Sequence, residues 1–227
     1  MSVGRVDTVV LNGWAASPRA WERCAFPRAA LFSYLDQLDG LPERFFAAHA
    51  EARFVLVGWS MGGSSALRLA CRFPDRIAGL VLVAATPRMM EDRPAGWRGM
   101  SPRRLEALYR GLQLTHGEGF FGLPEGMPNP YQMDTEENLN RGLRYLLETD
   151  LRAALTAAAP TLRCPVAIFQ SEHDGIVRPE NADYLKRLFP QATLTRVPGT
   201  EHALPIAIPE LLDAAVARSI SSEEENP

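Results

Sequence analysis

Ser60 stands in Gly58-Trp59-Ser60-Met61-Gly62-Gly63, a G-x-S-x-G pattern. It follows the apolar run Phe54-Val55-Leu56-Val57 and precedes a helical face at Ala66, Leu67, Leu69, Ala70 and Phe73 that Pro74 closes. Strand, tight glycine turn and helix are the context in which this pattern lifts a serine hydroxyl above a sheet as a nucleophile. Glycine two residues either side of the serine serves that geometry, because a Cβ there would collide with the adjoining strand and helix. The turn also sets the Met61 amide at a helix N-terminus, where partial positive charge stabilises an oxyanion. Two other readings compete: a phosphate-cradling loop, which lacks both G-x-G-x-x-G and the Walker lysine, and a chance glycine-rich turn.

A serine nucleophile needs a base and an acid to orient it. In a strand-turn-helix hydrolase these follow in the order serine, acid, histidine, each after a late strand. Asp174 sits in Ser171-Glu172-His173-Asp174-Gly175-Ile176-Val177, just past the run Val166 to Gln170. His202 sits in Pro198-Gly199-Thr200-Glu201-His202-Ala203, past Leu194 to Val197. Taken singly, an aspartate in a turn is a turn-former and a loop histidine is a polar surface residue. Jointly placed at the C-terminal ends of parallel strands, where ligands collect in open α/β sheets, they complete a triad. The expected roles are general base for His202 and orientation of its imidazole for Asp174. The second oxyanion donor is expected from the loop after the first strand, through the backbone amide of Trp14. His49, His116 and His173 lack matching positions and read as surface or capping residues.

The elements that must hold these residues are legible as buried runs. Thr8 to Leu11, Phe54 to Val57, Gly79 to Ala84, Val166 to Phe169 and Leu194 to Val197 have the continuous apolar character of parallel strands. Helices fit between and after them, including Glu180 to Phe189 and Pro209 to Ile220, which implies right-handed βαβ crossovers and an α/β fold with a mostly parallel sheet. The hydrolase core is expected over residues 1–85 and 164–220, a helical cap insertion over 86–163, and a disordered tail over 221–227. Within the insertion, helices are expected at Pro102 to Leu114, with Ser101 as N-cap, and at Thr135 to Leu147, with a loop from Gly117 to Pro130.

Composition narrows the remaining classes. The chain has 227 residues, enough for one sizeable core and a small insertion. Its formal net charge of −3 gives no electrostatic reason to expect nucleic acid or an anionic membrane as partner. Cys24, Cys71 and Cys164 are odd in number and widely spaced, and read as buried reduced thiols. No H-E-x-x-H and no Cys/His cluster is present, so no metal and no cofactor is expected. No run has transmembrane length and no secretory leader opens the sequence, so a cytoplasmic protein is expected.

Over nearly its whole length the sequence resembles the α/β-hydrolase superfamily, and more closely the pimeloyl-[acyl-carrier protein] methyl ester esterases of biotin synthesis. The residues carrying the closer likeness are Asn12-Gly13-Trp14 with Trp21, Gly58 to Gly63, Pro74-Asp75-Arg76-Ile77, Leu147-Glu148-Thr149-Asp150-Leu151-Arg152, Asp174-Gly175-Ile176-Val177 and His202-Ala203. The resemblance implies an esterase that removes a methyl group from a pimeloyl thioester on its carrier. It also implies that Trp14, Trp59, Ser60, Met61, Phe120, Phe121 and His202 line the substrate channel.

The sequence departs from the family at three places. Asn-Gly replaces His-Gly after the first strand, the family's next strand and loop shrink to Leu31 to Asp36, and the cap arginines that dock the carrier have no clear counterparts before Phe120. Arg103, Arg104, Arg110, Arg141 and Arg144 offer another basic face, interrupted by Glu136, Glu137 and Glu148. Transient docking of an acyl-carrier protein on the cap is therefore an expectation of the resemblance alone. Competing functions on the same fold are a general short-chain esterase, a lactonase, thioesterase or C–C hydrolase, and a non-enzymatic receptor. Haloalkane dehalogenation is disfavoured, since it needs a carboxylate where Ser60 stands.

Overall fold

A computed structural model describes residues 6–225. Six strands form one parallel sheet: β1 (Val6–Leu11), β2 (Ala29–Phe32), β3 (Arg53–Trp59), β4 (Ile77–Val83), β5 (Val166–Ser171) and β6 (Thr193–Val197), in the order β2-β1-β3-β4-β5-β6. The four central strands are the apolar runs, buried almost throughout, because helices cover both faces of a parallel sheet. The edge strands β2 and β6 are only partly buried.

Nine helices complete the chain: α1 (Tyr34–Leu38), α2 (Leu41–Ala48), α3 (Met61–Arg72), α4 (Pro102–Thr115), α5 (Glu136–Glu148), α6 (Arg152–Ala158), α7 (Glu180–Leu188), α8 (Leu204–Ala207) and α9 (Pro209–Glu225) among the described residues. Side-chain alternation along the strands divides the core in two. Val9, Leu11, Leu56, Leu80, Leu82 and Ile168 pack with Phe46, Leu67, Leu69 and Leu185. Val10, Val57, Trp59, Val81, Val83 and Phe169 pack with Trp21, Leu204, Leu212 and Val216. The chain leaves β1 for β2 on one side and returns to β3 on the other, so the loops at the C-terminal ends of β1 and β3 diverge and open a crevice there.

Four sequence expectations are adjusted. The remnant expected at Leu31 to Asp36 is a true edge strand, β2, paired with β1 from Thr8↔Ala29 to Leu11↔Phe32. It is followed by a helix whose Ser33–Asp36 capping box satisfies two end amides. Helix α6, at the end of the stretch read as cap, belongs to the core: Leu155 is fully buried in the same cluster as Leu67 and Leu69. Its alanine-rich sequence carries one large apolar residue, too few to show a period. The segment read as a tail from Ser221 continues α9 to Glu225, with Glu223 ion-paired to Arg53 of β3; residues 226 and 227 lie outside the described residues. Of the three free cysteines only Cys164 is buried, Cys24 and Cys71 being partly so. Burial still pushes the Cys24 thiol up to about 12 and the Cys164 thiol to about 11, so neither is a thiolate at neutral pH.

The cap proper is α4 and α5 with their loops. Met89, Met90, Met100, Leu105, Leu112, Leu139 and Leu146 pack on Trp14, Tyr34, Met61 and Val177, directly above the C-terminal ends of the strands. Asp150, at the cap's exit, lies 2.6 Å from Arg88 and 2.7 Å from Arg152, and Arg152 also reaches Asp92 at 2.6 Å. The Arg152 guanidinium, aided by Arg88, holds the Asp150 carboxyl well below the usual carboxylate range. The Thr149-Asp150-Leu151-Arg152 stretch thus pins the cap's two ends together. Among the described residues no helix is long and apolar enough to cross a membrane, and no three His, Cys, Asp or Glu side chains group as metal ligands.

Candidate active site

The turn from β3 into α3 is as tight as its glycines imply. Ser60 adopts φ 56° and ψ −118°, a strained conformation for a residue with a side chain, and its amide donates to the Val83 carbonyl at 2.9 Å. A Cβ on Gly58 would strike the Gly62 carbonyl oxygen, and one on Gly62 would strike the Leu11 carbonyl oxygen. The same close approach that requires glycine brings the exit of β1 against the start of α3. Met61 is the first residue of α3, and its amide follows Ser60 directly at the helix N-terminus.

The three residues read as a triad come together. His202 Nε2 lies 2.9 Å from Ser60 Oγ, and His202 Nδ1 lies 2.8 Å from Asp174 Oδ2. All three are buried, and Ser60 keeps 7% of its surface. Asp174 Oδ1 accepts the amides of Ile176 at 2.7 Å and Val177 at 3.0 Å, which leaves Oδ2 to face the imidazole. The assembly can run nucleophilic acyl transfer: a serine activated by an imidazole whose tautomer a carboxylate sets.

Two residues expected to line the channel hold the backbone of His202. Trp59 is fully buried, and its indole Nε1 donates to the His202 carbonyl at 2.8 Å. Its ring packs against Trp21, with centroids 6.4 Å apart, and against Phe121, at 5.8 Å. Phe121, 3% exposed, accepts the His202 amide on its carbonyl at 2.7 Å. The backbone of His202 is therefore held on one side by the residue before the nucleophile and on the other by the cap loop. Phe120 remains half-buried where the cap and core clusters meet. Trp14 spans the same divide: its indole donates to the Leu139 carbonyl of α5 at 3.1 Å, stacks on Tyr109 of α4, and fits only because residue 142 is glycine.

Asn12, the departure from His-Gly, ties down the loop that carries Trp14. Its side-chain oxygen accepts the Gly13 amide at 3.0 Å and the Trp21 indole at 3.0 Å, while its amide donates to the Ala16 carbonyl at 2.7 Å. Asn12→Ala leaves these buried groups unpaired, with an expected loss of about 2 kcal/mol of stability. It also loosens the Trp14 amide, so kcat is expected to fall about tenfold with KM little changed. Denaturant unfolding and steady-state ester hydrolysis check both, and a wild-type kcat would remove Asn12 from the support of that loop.

His49 and His116 occupy helix C-caps, and His173 is exposed. Sequence reasoning missed the supporting groups: Trp59 Nε1, the Phe121 carbonyl and Gln170 of β5. Only Gln170 left a trace, as a polar residue inside an apolar strand.

A parallel sheet with a serine elbow, and an aspartate and a histidine on its late strand ends, defines an α/β hydrolase. The family model for the alpha/beta hydrolase fold matches residues 13–206, and the chain belongs to that family. Among curated relatives it is similar to the pimeloyl-[acyl-carrier protein] methyl ester esterase of Nitrosomonas europaea, at 29% identity over 90% of this chain and 91% of that protein. The esterase of the same name from Chromobacterium violaceum is 31% identical over 87% of each. Among solved structures, a hydrolase from Oleispira antarctica superposes with a TM-score of 0.71 at 17% identity, covering 96% of this chain and 92% of that one. An esterase from Exiguobacterium antarcticum superposes with a TM-score of 0.71 at 16% identity, covering 97% and 92%. These two likenesses concern the fold alone.

Proposed function

We propose that this chain is a cytoplasmic serine carboxylesterase that cleaves the methyl ester of a pimeloyl group carried on acyl-carrier protein, freeing the distal carboxylate for biotin synthesis. The observation that carries the reading is the unbroken Ser60–His202–Asp174 hydrogen-bond chain, in a protein similar over about nine-tenths of its length to esterases of that name.

Ser60 Oγ attacks the ester carbonyl as His202 Nε2 takes its proton, and Asp174 stabilises the imidazolium that forms. The amides of Met61 and Trp14 receive the developing oxyanion. His202 then protonates the leaving methoxide, and methanol departs. A water deprotonated by the same imidazole attacks the acyl-enzyme, releasing the carboxylate and restoring Ser60. The cap keeps bulk water off these steps, which strengthens each electrostatic contact.

The carrier is expected to dock on the cap, at a narrower basic face than the five arginines suggest. Arg110 is paired with Glu106 at 2.5 Å, Arg141 with Asp39, and Arg104 donates to the Gly175 carbonyl at 2.7 Å. Arg103 and Arg144 are exposed and have no ion pair among the described residues, and they are the charges left for an acidic partner.

Purified protein is expected to convert pimeloyl-carrier methyl ester to the free acid and methanol, with a higher kcat/KM than for short p-nitrophenyl esters, by mass spectrometry of the carrier. Cleavage of the p-nitrophenyl esters with the carrier ester left intact would reduce the assignment to a general esterase.

A further inference from the structure

Gln170 is fully buried in β5, four residues before Asp174, on a strand otherwise apolar up to Ser171. One end of its amide lies 3.1 Å from Asp174 Oδ2, 3.2 Å from the Val177 carbonyl and 3.4 Å from the Ser171 carbonyl. Three acceptors around one atom leave a single assignment: that atom is the nitrogen. The other end, Oε1, has no partner among the described residues. A buried acceptor left unpaired is costly, and Met or Leu would fill the position without that cost. What glutamine alone supplies here is the donor.

The donor matters because of where the other bonds to Asp174 fall. Both backbone amides, from Ile176 and Val177, go to Oδ1 and belong to the same turn as the aspartate. The terminal torsion of an aspartate is broad, so bonds from a single turn to one oxygen hold the carboxylate plane less tightly than bonds to both oxygens. Oδ2 is the oxygen that meets His202 Nδ1, and Gln170 is the second group on it, reaching from the sheet rather than from the loop.

Resting on the triad reading above, we propose that Gln170 is the positioning residue that locks Asp174 Oδ2 in line with the His202 imidazole, so that no reorientation is needed when the imidazolium forms. The titratable groups it meets are Asp174 and, through it, His202. The adjoining loops also carry Glu172, His173 and Glu201, and Arg104 of α4 reaches the Gly175 carbonyl.

The test compares full-length wild type, Gln170→Met and Gln170→Glu on a short p-nitrophenyl ester, with fluorophosphonate labelling alongside. Gln170→Met is expected to lower kcat about thirtyfold with KM within about twofold, as for a lost hydrogen bond to a charged group. It is also expected to shift or broaden the low-field NMR resonance of the His202 Nδ1 proton, with no fall in unfolding temperature. In Gln170→Glu the new carboxyl group, beside Asp174, holds its proton in mild acid and donates to Oδ2 in the amide's place. Its activity relative to wild type is therefore expected to be higher at about pH 6 than at about pH 9.

A Gln170→Met protein with wild-type kcat and an unmoved resonance would overturn the assignment, as would a lowered unfolding temperature with those two readouts unchanged. Should Gln170→Met fail to fold, a Gln170→Glu ratio that does not vary with pH overturns it equally. Wild type that neither labels nor turns over would instead remove the triad reading, and with it this one.

Discussion

Ser60→Ala is expected to lower kcat for any ester this protein cleaves by about five to six orders of magnitude, the loss seen when a nucleophile that works as a unit with its base is removed. The substitution takes away one atom, Oγ, which lies 2.9 Å from His202 Nε2. The groups that shape the turn remain: the Ser60 amide still donates to the Val83 carbonyl, and the glycines at 58 and 62 are untouched. His202 keeps its bond to Asp174. Substrate binding is therefore expected to survive, with KM within about twofold, and the unfolding temperature to stay level or rise slightly, since strained catalytic groups are commonly held at a cost in stability. Residual turnover above background is expected to come from the proposed oxyanion donors, the Met61 and Trp14 amides, and from water. Steady-state kinetics and loss of fluorophosphonate labelling measure it. A variant keeping more than about one hundredth of wild-type kcat would mean that Ser60 is not the nucleophile.

Gly62→Ala is expected to have the largest effect on folding. Its Cβ would lie against the Leu11 carbonyl and 2.7 Å from the Asn12 carbonyl oxygen, which are backbone atoms in the exit of β1. No side chain can turn aside to relieve the clash. Either α3 must lift from the sheet or β1 must slide against β3, to which it is paired from Val6↔Arg53 to Leu11↔Gly58. The expected cost is about 4 kcal/mol, at the upper end for a single substitution, or about 10 °C in unfolding temperature for a chain of this size. Activity should fall further than folded protein does, because the displaced segment leads to Asn12 and the Trp14 amide. The control is Gly111→Ala in α4, where nothing lies within 4 Å of the added Cβ. That change is expected to be neutral or to stabilise by about 0.5–1 kcal/mol through helix propensity. Thermal unfolding of the pair checks the argument, and equal effects would refute the close-approach account of Gly62.

How much of this was legible beforehand differs from residue to residue. The central strands announced themselves because a strand covered on both faces is apolar at most positions. Ser60 was visible because its turn is local: a strained residue between two glycines is a property of six consecutive positions. Asp174 and His202 were found by order, each following a late strand. Their meeting at 2.8 Å is a consequence of β5 and β6 being neighbours, a pairing no single segment encodes. The core membership of α6 was hidden by an alanine-rich sequence with one large apolar residue. The hold that Trp59 and Phe121 have on the His202 backbone was not legible because an aromatic residue beside a nucleophile reads the same whether it faces substrate or supports a backbone.

The sequence by itself determined the class of sheet, the nucleophile with its glycines, and the order of acid and base, because these rest on short-range periodicity and steric exclusion. Only the tertiary structure decided what holds those groups in place. The His202 backbone is fixed by a carbonyl from the cap loop and an indole from β3, the Asp174 carboxylate by an amide from β5, and the Trp14 loop by Asn12 and a notch in α5. Each of these contacts joins elements remote in the chain or depends on a buried polar atom finding a partner. Such pairing is a property of the folded packing, in which an unpaired group is costly, and not of any local pattern of residues.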